Sequence, residues 1–493
     1  MGPTVLSQPA ANRAWLDQQL GPSPDVVYRQ LRAAPGQPEM LLAYLATLVS
    51  EERVAQEVIS PLVHHGLSPG AVLAGRVRQV ANLPEALRGI LAGEVALFLP
   101  GYRQAFLFAL ADWDTRAIEE PDMEPVVRGP REGFTEALTT NISLLRRKLK
   151  TPGLRLEKRT LGEVTRTDVV VCHLEGIASP SLVEEVRRRL DRIRVDAILD
   201  AGYVEELIED APSSPVPQIE HTERPDKAAA ALLEGRVVIL VGGSPHALIV
   251  PTVFLHTFHS VEEHYERALV GSAVRLLRLL SFTLALTLSA AYIAVMSYHH
   301  EMIPFVLAQR IAGAREGVPF PIFLETVLME VAFEALREAG VRLPKPVGQA
   351  VSIVGALVLG DAAIRSGIAA PSTVIIVAVA GIASFGVPWY GMALGVRIIR
   401  FGLMAIAAFL GLFGLMLALY ALTAHLASLR SFGTPFLAPF APLTLPDLKD
   451  SFCRAPRWTL RSRPLIFGAT KGKRVPLPQQ PSPPSRPERK KRR

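Results

Sequence analysis

The carboxyl-terminal half of the chain sets long uncharged apolar runs beside one stretch that mixes carboxylates and arginines into the same hydrophobic background. Leu279 to Tyr298, about Ser372 to Tyr390, and Phe401 to Ala424 contain no charged residue. Each approaches the ~20 residues that an apolar helix needs to cross a bilayer. Between the first two lies Val318 to Gly367, VPFPIFLETVLMEVAFEALREAGVRLPKPVGQAVSIVGALVLGDAAIRSG. Ionisable groups at membrane depth are costly, so those retained there are functional candidates.

Pro319 and Pro321 suit a helix start, and no proline or glycine interrupts Ile322 to Ala339. At 3.6 residues per turn Glu330, Glu334 and Glu338 form a stripe with Arg337 beside it, while Glu325 falls on the opposite side among Leu328, Met329 and Leu336. After Gly340, Pro344 and Pro346, the small-residue run Val347 to Gly360 is closed by Asp361 and Arg365. It has too few residues for a full crossing and fits a broken or re-entrant helix, a buried helix, or a span whose charged end faces water. Arg275 and Arg278 put the first boundary on the cytoplasmic side, and a basic tail favours the same side for the carboxyl end. An even number of crossings follows. The expectation is four, with one of the two doubtful segments not crossing; six is the alternative.

The chain has 493 residues, 49% of them hydrophobic, with a net charge of +7. Ser451 to Arg493 holds 13 Lys or Arg and one acid, a balance of +12, which leaves −5 for the other 450 residues. The basicity therefore belongs to a tail whose last part, PLPQQPSPPSRPERKKRR, is expected to be disordered and drawn to anionic lipid rather than to nucleic acid. Met1 to Leu20 lacks the apolar core of a signal peptide, so the first 270 residues are expected in the cytoplasm. Cys172 and Cys453 lie far apart and imply no disulfide framework.

Within the amino-terminal part, Ala11 to Gln30 and Pro38 to Ile59 read as helices, and Glu94 to Leu99 with Gln104 to Leu110 as a hairpin. Phe134 to Leu149, Ser181 to Arg194 and Asp226 to Leu233 read as helices, and Asp168 to Leu174 and Val237 to Val241 as strands. This alternation implies small α/β domains. Gly242-Gly243-Ser244-Pro245 lacks the lysine and glycine spacing of a nucleotide loop. His256, His259 and His264 have no cysteine or clustered aspartate to complete a metal site. With no nucleophile elbow or paired carboxylates in a soluble cleft, neither enzymatic activity nor a metal or other cofactor is expected.

Several motifs point further. Arg128-Gly129-Pro130-Arg131 with Gly133-Phe134, Thr222-Glu223-Arg224-Pro225-Asp226, Glu301-Met302-Ile303-Pro304, Val318-Pro319-Phe320-Pro321, the run Arg337 to Pro344, Ser352-Ile353-Val354-Gly355-Ala356, and Ser431-Phe432-Gly433-Thr434-Pro435 occur in order. From about Gly93 to Pro464 the chain resembles the A subunits of GerA-type spore germinant receptors. The resemblance implies a spore inner-membrane protein that works with a transporter-like B subunit and a lipoprotein C subunit. It further implies nutrient sensing, with the A subunit as the homo-oligomeric, ion-conducting component. A sporulation stage V AF-like paralogue shares the architecture, and a non-conducting scaffold is the alternative role. Gly242 to Pro245 departs from the Asp-Gly-Thr-Pro of many relatives, and Leu288 to Tyr292 lacks a proline common before that tyrosine.

The expected fold is thus an α/β soluble amino-terminal region of two small subdomains, then an all-α polytopic transmembrane domain and a disordered basic tail. The boundaries are 1–92 (a helical segment), 93–270 (cytoplasmic α/β), 271–430 (transmembrane) and 431–493 (Pro-rich basic tail). Val351, Ser352, Val354, Gly355, Val358 and Asp361 are the candidate pore-lining residues, with the valines as an apolar constriction. Glu325, Glu330, Glu334, Arg337, Arg342 and Arg365 are the candidate gating or inter-subunit charges. The plainer alternative pairs Asp361 with Arg365 at i+4 and turns the glutamate stripe to headgroups.

Overall fold

The structure, a computed structural model, describes residues 2–32, 39–65, 77–112, 120–121, 123–343, 355 and 357–474. The candidate positions Val351, Ser352 and Val354, and the tail from 475 onward, lie outside the described residues.

The first subdomain is not the helical segment expected over 1–92. Helix α1 (Pro9–Leu20) stops at Gly21, whose φ of 63° suits glycine, and strands β1 (Val26–Leu31) and β2 (Met40–Leu45) follow. With β3 (Val77–Val80), helix α2 (Leu83–Leu91), β4 (Glu94–Phe98) and β5 (Ala105–Ala109) they build an antiparallel sheet of order β1-β2-β4-β5-β3. The run MLLAYL is apolar at nearly every position, so periodicity could not separate strand from helix. In the sheet its two faces part: Leu41, Ala43 and Leu45 pack toward α1 and α2, and Met40, Leu42 and Tyr44 toward Val54, Val58 and Leu62.

The second subdomain repeats this logic; it contains the two strands and three helices read from the sequence, and adds three strands and the helix Ala201–Ile208. Its sheet, of order β6-β7-β9-β10-β8, comprises β6 (Leu154–Leu161), β7 (Thr167–Leu174), β8 (Glu220–Thr222), β9 (Val237–Val241) and β10 (Ala247–Val250). Helices α3 (Leu138–Lys148) and α6 (Pro225–Glu234) cover one face, α4 (Pro180–Asp191) and α5 (Ala201–Ile208) the other. Val169 and Val171 of β7 enter the second core, Val170, Cys172 and Leu174 the first, which is the period-two alternation of a sheet buried on both sides. Arg146 of α3 joins the subdomains through a buried pair with Asp25, its Nε 2.8 Å from Oδ2 and its Nη2 3.0 Å from Oδ1.

The remaining helices form an antiparallel bundle below the second subdomain. They are α7 (Ala268–Tyr298), α8 (Phe305–Arg315), α9 (Ile322–Arg342), α10 (residues 357–365), α11 (Pro371–Ser384) and α12 (Tyr390–Ser428). Helices α7 and α12 are long and apolar enough to cross a membrane. Helix α12 is not one rod. Gly411 takes φ 61° and ψ −147°, and Gly414 packs on Leu410 and Ile406, so residues 412–428 turn back along 390–410. Both ends of α12 accordingly reach one loop of the soluble domain: Gly391 sits by Pro217 and His221, and His425 Nε2 lies 2.9 Å from Ser214 Oγ. The expected single span Phe401 to Ala424 straddles this turn, which no charge or proline marks.

Tyr298, at the far end of α7, meets the tip of that hairpin. Helix α9 rises from the far end, where Glu325 accepts from Ala370 N at 2.7 Å, to the soluble side, where Arg337 meets Ser384 at the end of α11. Helix α10 descends, with Gly355 against Leu336 and Gly367 against Gly317. Among the described residues the bundle therefore shows six passes, α7, α9, α10, α11 and the two halves of α12, where four were expected and six was the alternative. Of the two doubtful segments, the first runs its height as α9, and most of the second, Val347 to Gly360, lies outside the described residues.

The chain after α12 is not a free tail as far as residue 474. Ser431 Oγ donates to Gln218 O at 2.7 Å, Arg463 Nε to Leu233 O at 2.7 Å, and Thr470 N to Ile177 O at 2.9 Å. This strap also captures the first turns of α7. Arg275, a boundary marker in the sequence, is buried between Glu263 (Nη2 to Oε2, 2.6 Å) and the carbonyls of Asp450 (2.6 Å) and Ser451 (3.0 Å). Arg278 also pairs with Glu263.

Candidate functional site

Two of the three stripe glutamates face inward at mid-height of the bundle. Glu330 is fully buried and accepts from Ser289 Oγ of α7 at 2.6 Å. Its Oε2 lies 2.9 Å from Nη2 of Arg400, which is buried on the first half of α12. One turn on, Glu334 is shared by three arginines: Arg400 Nη2 at 3.0 Å, Arg337 Nη1 at 3.4 Å and Arg397 Nη1 at 3.6 Å. Ser289 stands about eleven residues from Arg278 and nine from Tyr298, so roughly 14–17 Å of helix separates it from either end of the bundle. Four passes thus meet at one polar locus inside apolar packing: α7, α9, the first half of α12, and α11 through Arg337.

Arg337 is held on several sides. Its Nη2 donates to Ser384 Oγ at 2.6 Å and Gly381 O at 3.2 Å, and its guanidinium lies 5.0 and 4.6 Å from the ring centroids of Phe333 and Phe385. The carbonyl end of α11 and two ring faces suit a cation.

The other candidate charges are elsewhere. Glu325 belongs to a separate pair at the far end, where Arg315 Nη1 donates to its Oε2 at 2.6 Å; its isolation in the sequence is answered by a partner ten residues upstream. Arg342 pairs locally with Glu338, and Arg365 with Asp361 at 2.8 Å; all four side chains are exposed. The structure thus has the plainer i+4 pairing for Asp361, and neither Arg342 nor Arg365 joins the mid-bundle cluster. Among the pore candidates, Gly355 packs on Leu336, and Val358 is exposed with Leu357. Gly391 and Gly395, spaced like a helix-contact motif, receive the soluble loop around Pro215 and Pro217 instead of another helix.

Sequence reading missed Ser289, Arg397 and Arg400. The signal was present: two arginines three residues apart, the only charged residues from Ser366 to Ala424. They resembled a boundary between two spans, and a boundary explains arginines without asking for partners.

A family model described as Bacillus/Clostridium GerA spore germination protein matches residues 14–466. The chain belongs to the GerA spore germination protein family. It is 41% identical over 473 residues to spore germination protein KA of Bacillus subtilis (strain 168), covering 93% of this chain and 87% of that one. It is 39% identical over 456 residues to spore germination protein GerLA of Bacillus cereus, covering 90% of this chain and 93% of the relative. The uncharacterized membrane protein YfkQ of Bacillus subtilis (strain 168) is 39% identical over 459 residues, 91% of this chain and 89% of that one. Among solved structures, the crystal structure of the N-terminal domain of the A subunit of the Bacillus megaterium spore germinant receptor GerK3 matches 52% of this chain and 98% of its own, at 29% identity and a TM-score of 0.40. The GerA family assignment spans both subdomains and the bundle, so the mid-bundle cluster lies within the matched region.

Proposed function

We propose that this GerA-family chain is the membrane subunit of a nutrient-responsive germination receptor, and that it conducts ions as a homo-oligomer. In this reading the six passes cross the spore inner membrane with the α/β domain and carboxyl strap in the cytoplasm. A transporter-like B subunit binds the nutrient, a lipoprotein C subunit completes the receptor, and the chain performs no catalysis. The basic residues beyond 474 add an attraction to anionic lipid.

One observation supports conduction above the rest. The face of α10 that carries Leu357, Val358, Asp361 and Arg365 has no cover among the described residues, while its other face packs through Ala363 against Met329, Ala369 and Val377. An exposed Asp361 and Arg365 suit water better than lipid tails. Copies arranged around an axis would line it with this face, the valine supplying an apolar constriction and the charged turn a mouth. The buried Glu330–Arg400 locus then fixes α9 against α12, so that movement of the soluble domain, which grips both ends of α12, shifts α9 and the α10 it leads into.

The test is flux of monovalent cations from liposomes holding the purified chain, alone and with its B and C partners. Nutrient-dependent flux is the expected result. Absence of flux from a reconstituted receptor that still binds nutrient favours the second reading, a scaffold that couples a nutrient-binding partner to another channel; the self-contained Asp361–Arg365 pair is the observation on its side.

A further inference from the structure

The mid-bundle cluster is not electrically balanced. Arg337, Arg397 and Arg400 share two carboxylates, Glu330 and Glu334. No other packed element among the described residues brings a compensating charge. Helix α7 contributes Ser289 and has no charged residue from Leu279 to Tyr298; α11 has none at all. Glu325 is committed to Arg315, and Asp361 to Arg365. The carbonyl end of α11 offsets part of the charge on Arg337, to the extent of about half an elementary charge. A deficit of negative charge remains between Arg337 and Arg397.

The hydrogen bonds are short by the same account. Arg337 Nε, Arg397 Nε and Arg400 Nε are buried without a partner among the described residues. Arg337 and Arg400 are themselves more than nine-tenths buried. Buried guanidinium donors left unpaired cost free energy, and an unneutralised charge inside an apolar bundle costs more. Arg337 and Arg397 both reach the carboxylate of Glu334, at 3.4 and 3.6 Å, so their guanidinium groups are near neighbours that repel. The Arg397 and Glu334 side chains, 18% and 21% exposed, open the cluster to the surface on this side.

We infer that a small monovalent anion, of the size of chloride, binds between Arg337 and Arg397 and completes the cluster. This rests on the same locus as the proposed function but not on conduction. The anion supplies the missing charge and accepts from the free Nε–H groups. Its presence sets how firmly α9 is clamped to α12, and thereby makes the bundle sensitive to halide. A carboxylate is the chemistry that Glu334 already presents to these arginines, so formate is expected to substitute for chloride and the bulky gluconate is not.

The experiment uses the full chain in detergent or nanodiscs at constant ionic strength. Thermal unfolding is followed while gluconate is replaced by chloride, bromide or formate. The expected result is a saturable upward shift of about 3 °C or more, the form that ligand linkage gives. Arg397→Gln removes the excess charge and leaves Glu334 with two arginines; this variant is expected to show no anion-dependent shift. Bromide-81 or chloride-35 line broadening on the wild-type protein gives a readout that needs no variant. Equal midpoints in chloride and gluconate with no halide broadening overturn the inference, as does an undiminished shift in Arg397→Gln. Flux in liposomes is measured separately, so a non-conducting protein that shows the halide shift still supports the anion site, and a conducting one without it removes the site alone.

Discussion

The Arg400 guanidinium and the Glu330 carboxylate meet at 2.9 Å with neither side chain exposed, on helices far apart in sequence and adjacent in the bundle. Burying such a pair gains little over a well-packed apolar pair, because both ions lose their hydration. Removing one partner is another matter, since the other is left as an uncompensated charge. The pair is therefore better understood as fixing the register of α9 on α12 than as a source of stability.

Arg400→Met is expected to destabilise the chain by about 3–5 kcal/mol, because Glu330 has no second ion-pair partner among the described residues. Adding Glu330→Gln should recover much of that loss, since the amide keeps a bond to Ser289 without a buried charge. Unfolding midpoints of the two single variants and the double variant close the cycle. Additive losses would mean that the two residues do not interact.

The hairpin in α12 depends on Gly411 and on the tyrosine that meets it. Tyr298 Oη donates to Ala408 O at 2.7 Å and Phe409 O at 3.3 Å, carbonyls whose helical partners the turn removes. A Cβ at Gly411 would stand 3.0 Å from His299 Cε1 and 3.1 Å from Tyr298 Cδ2, on a backbone at φ 61°. Gly411→Ala is expected to cost about 2 kcal/mol or more from backbone strain and crowding. Tyr298→Phe is expected to cost about 1–3 kcal/mol through the uncovered carbonyls. Thermal unfolding of each variant checks both, and an unchanged midpoint in Gly411→Ala would contradict the folded-back geometry.

Stability should also fall between pH 5 and 7. Burial, with Glu209 and Asp200 nearby, pushes the Glu205 carboxyl up to about 7 from 4.5. His221, whose Nδ1 is 3.8 Å away, does not prevent this, because burial lowers its own pKa and keeps it neutral. The folded state therefore holds a proton that the unfolded state has released. The stabilising contribution is complete below about pH 4.5 and is lost as pH rises through 7, an effect of order ~3 kcal/mol. Glu205→Gln is expected to flatten the difference in midpoint between pH 5 and 8, measured against the wild type.

Asp361→Asn breaks only an exposed i+4 pair and should change stability by less than about 0.5 kcal/mol. Its expected effect is on flux, a reduced preference for cations over anions in liposomes. An unchanged preference would take Asp361 out of the ion path.

The parts of this architecture that were legible in the sequence are those whose signal is local. Asp168 to Leu174 is a strand because apolar and β-branched residues at successive positions bury both faces of one sheet. Glu330, Glu334 and Arg337 were found because a helical stripe of charge needs only its own spacing. Their partners were not, since Arg397 and Arg400 reach them across more than sixty residues and nothing in their spacing says which helix they face. The turn at Gly411 was hidden for a related reason: in an uncharged run a single glycine carries almost no information until the Tyr298 contact is seen. The first sheet was misread because Met40 to Leu45 is apolar throughout and periodicity was silent.

The most direct test of ion conduction is water access along α10 in the assembled receptor. With Cys172 and Cys453 replaced, single cysteines from Leu357 to Ile364 would be exposed to a membrane-impermeant thiol reagent, with and without nutrient. Labelling is expected at Leu357, Val358 and Asp361, protection at Gly360 and Ala363, and a change in rate at Val358 when nutrient is added. Uniform protection of all positions in both conditions would contradict this and leave α10 facing lipid or protein.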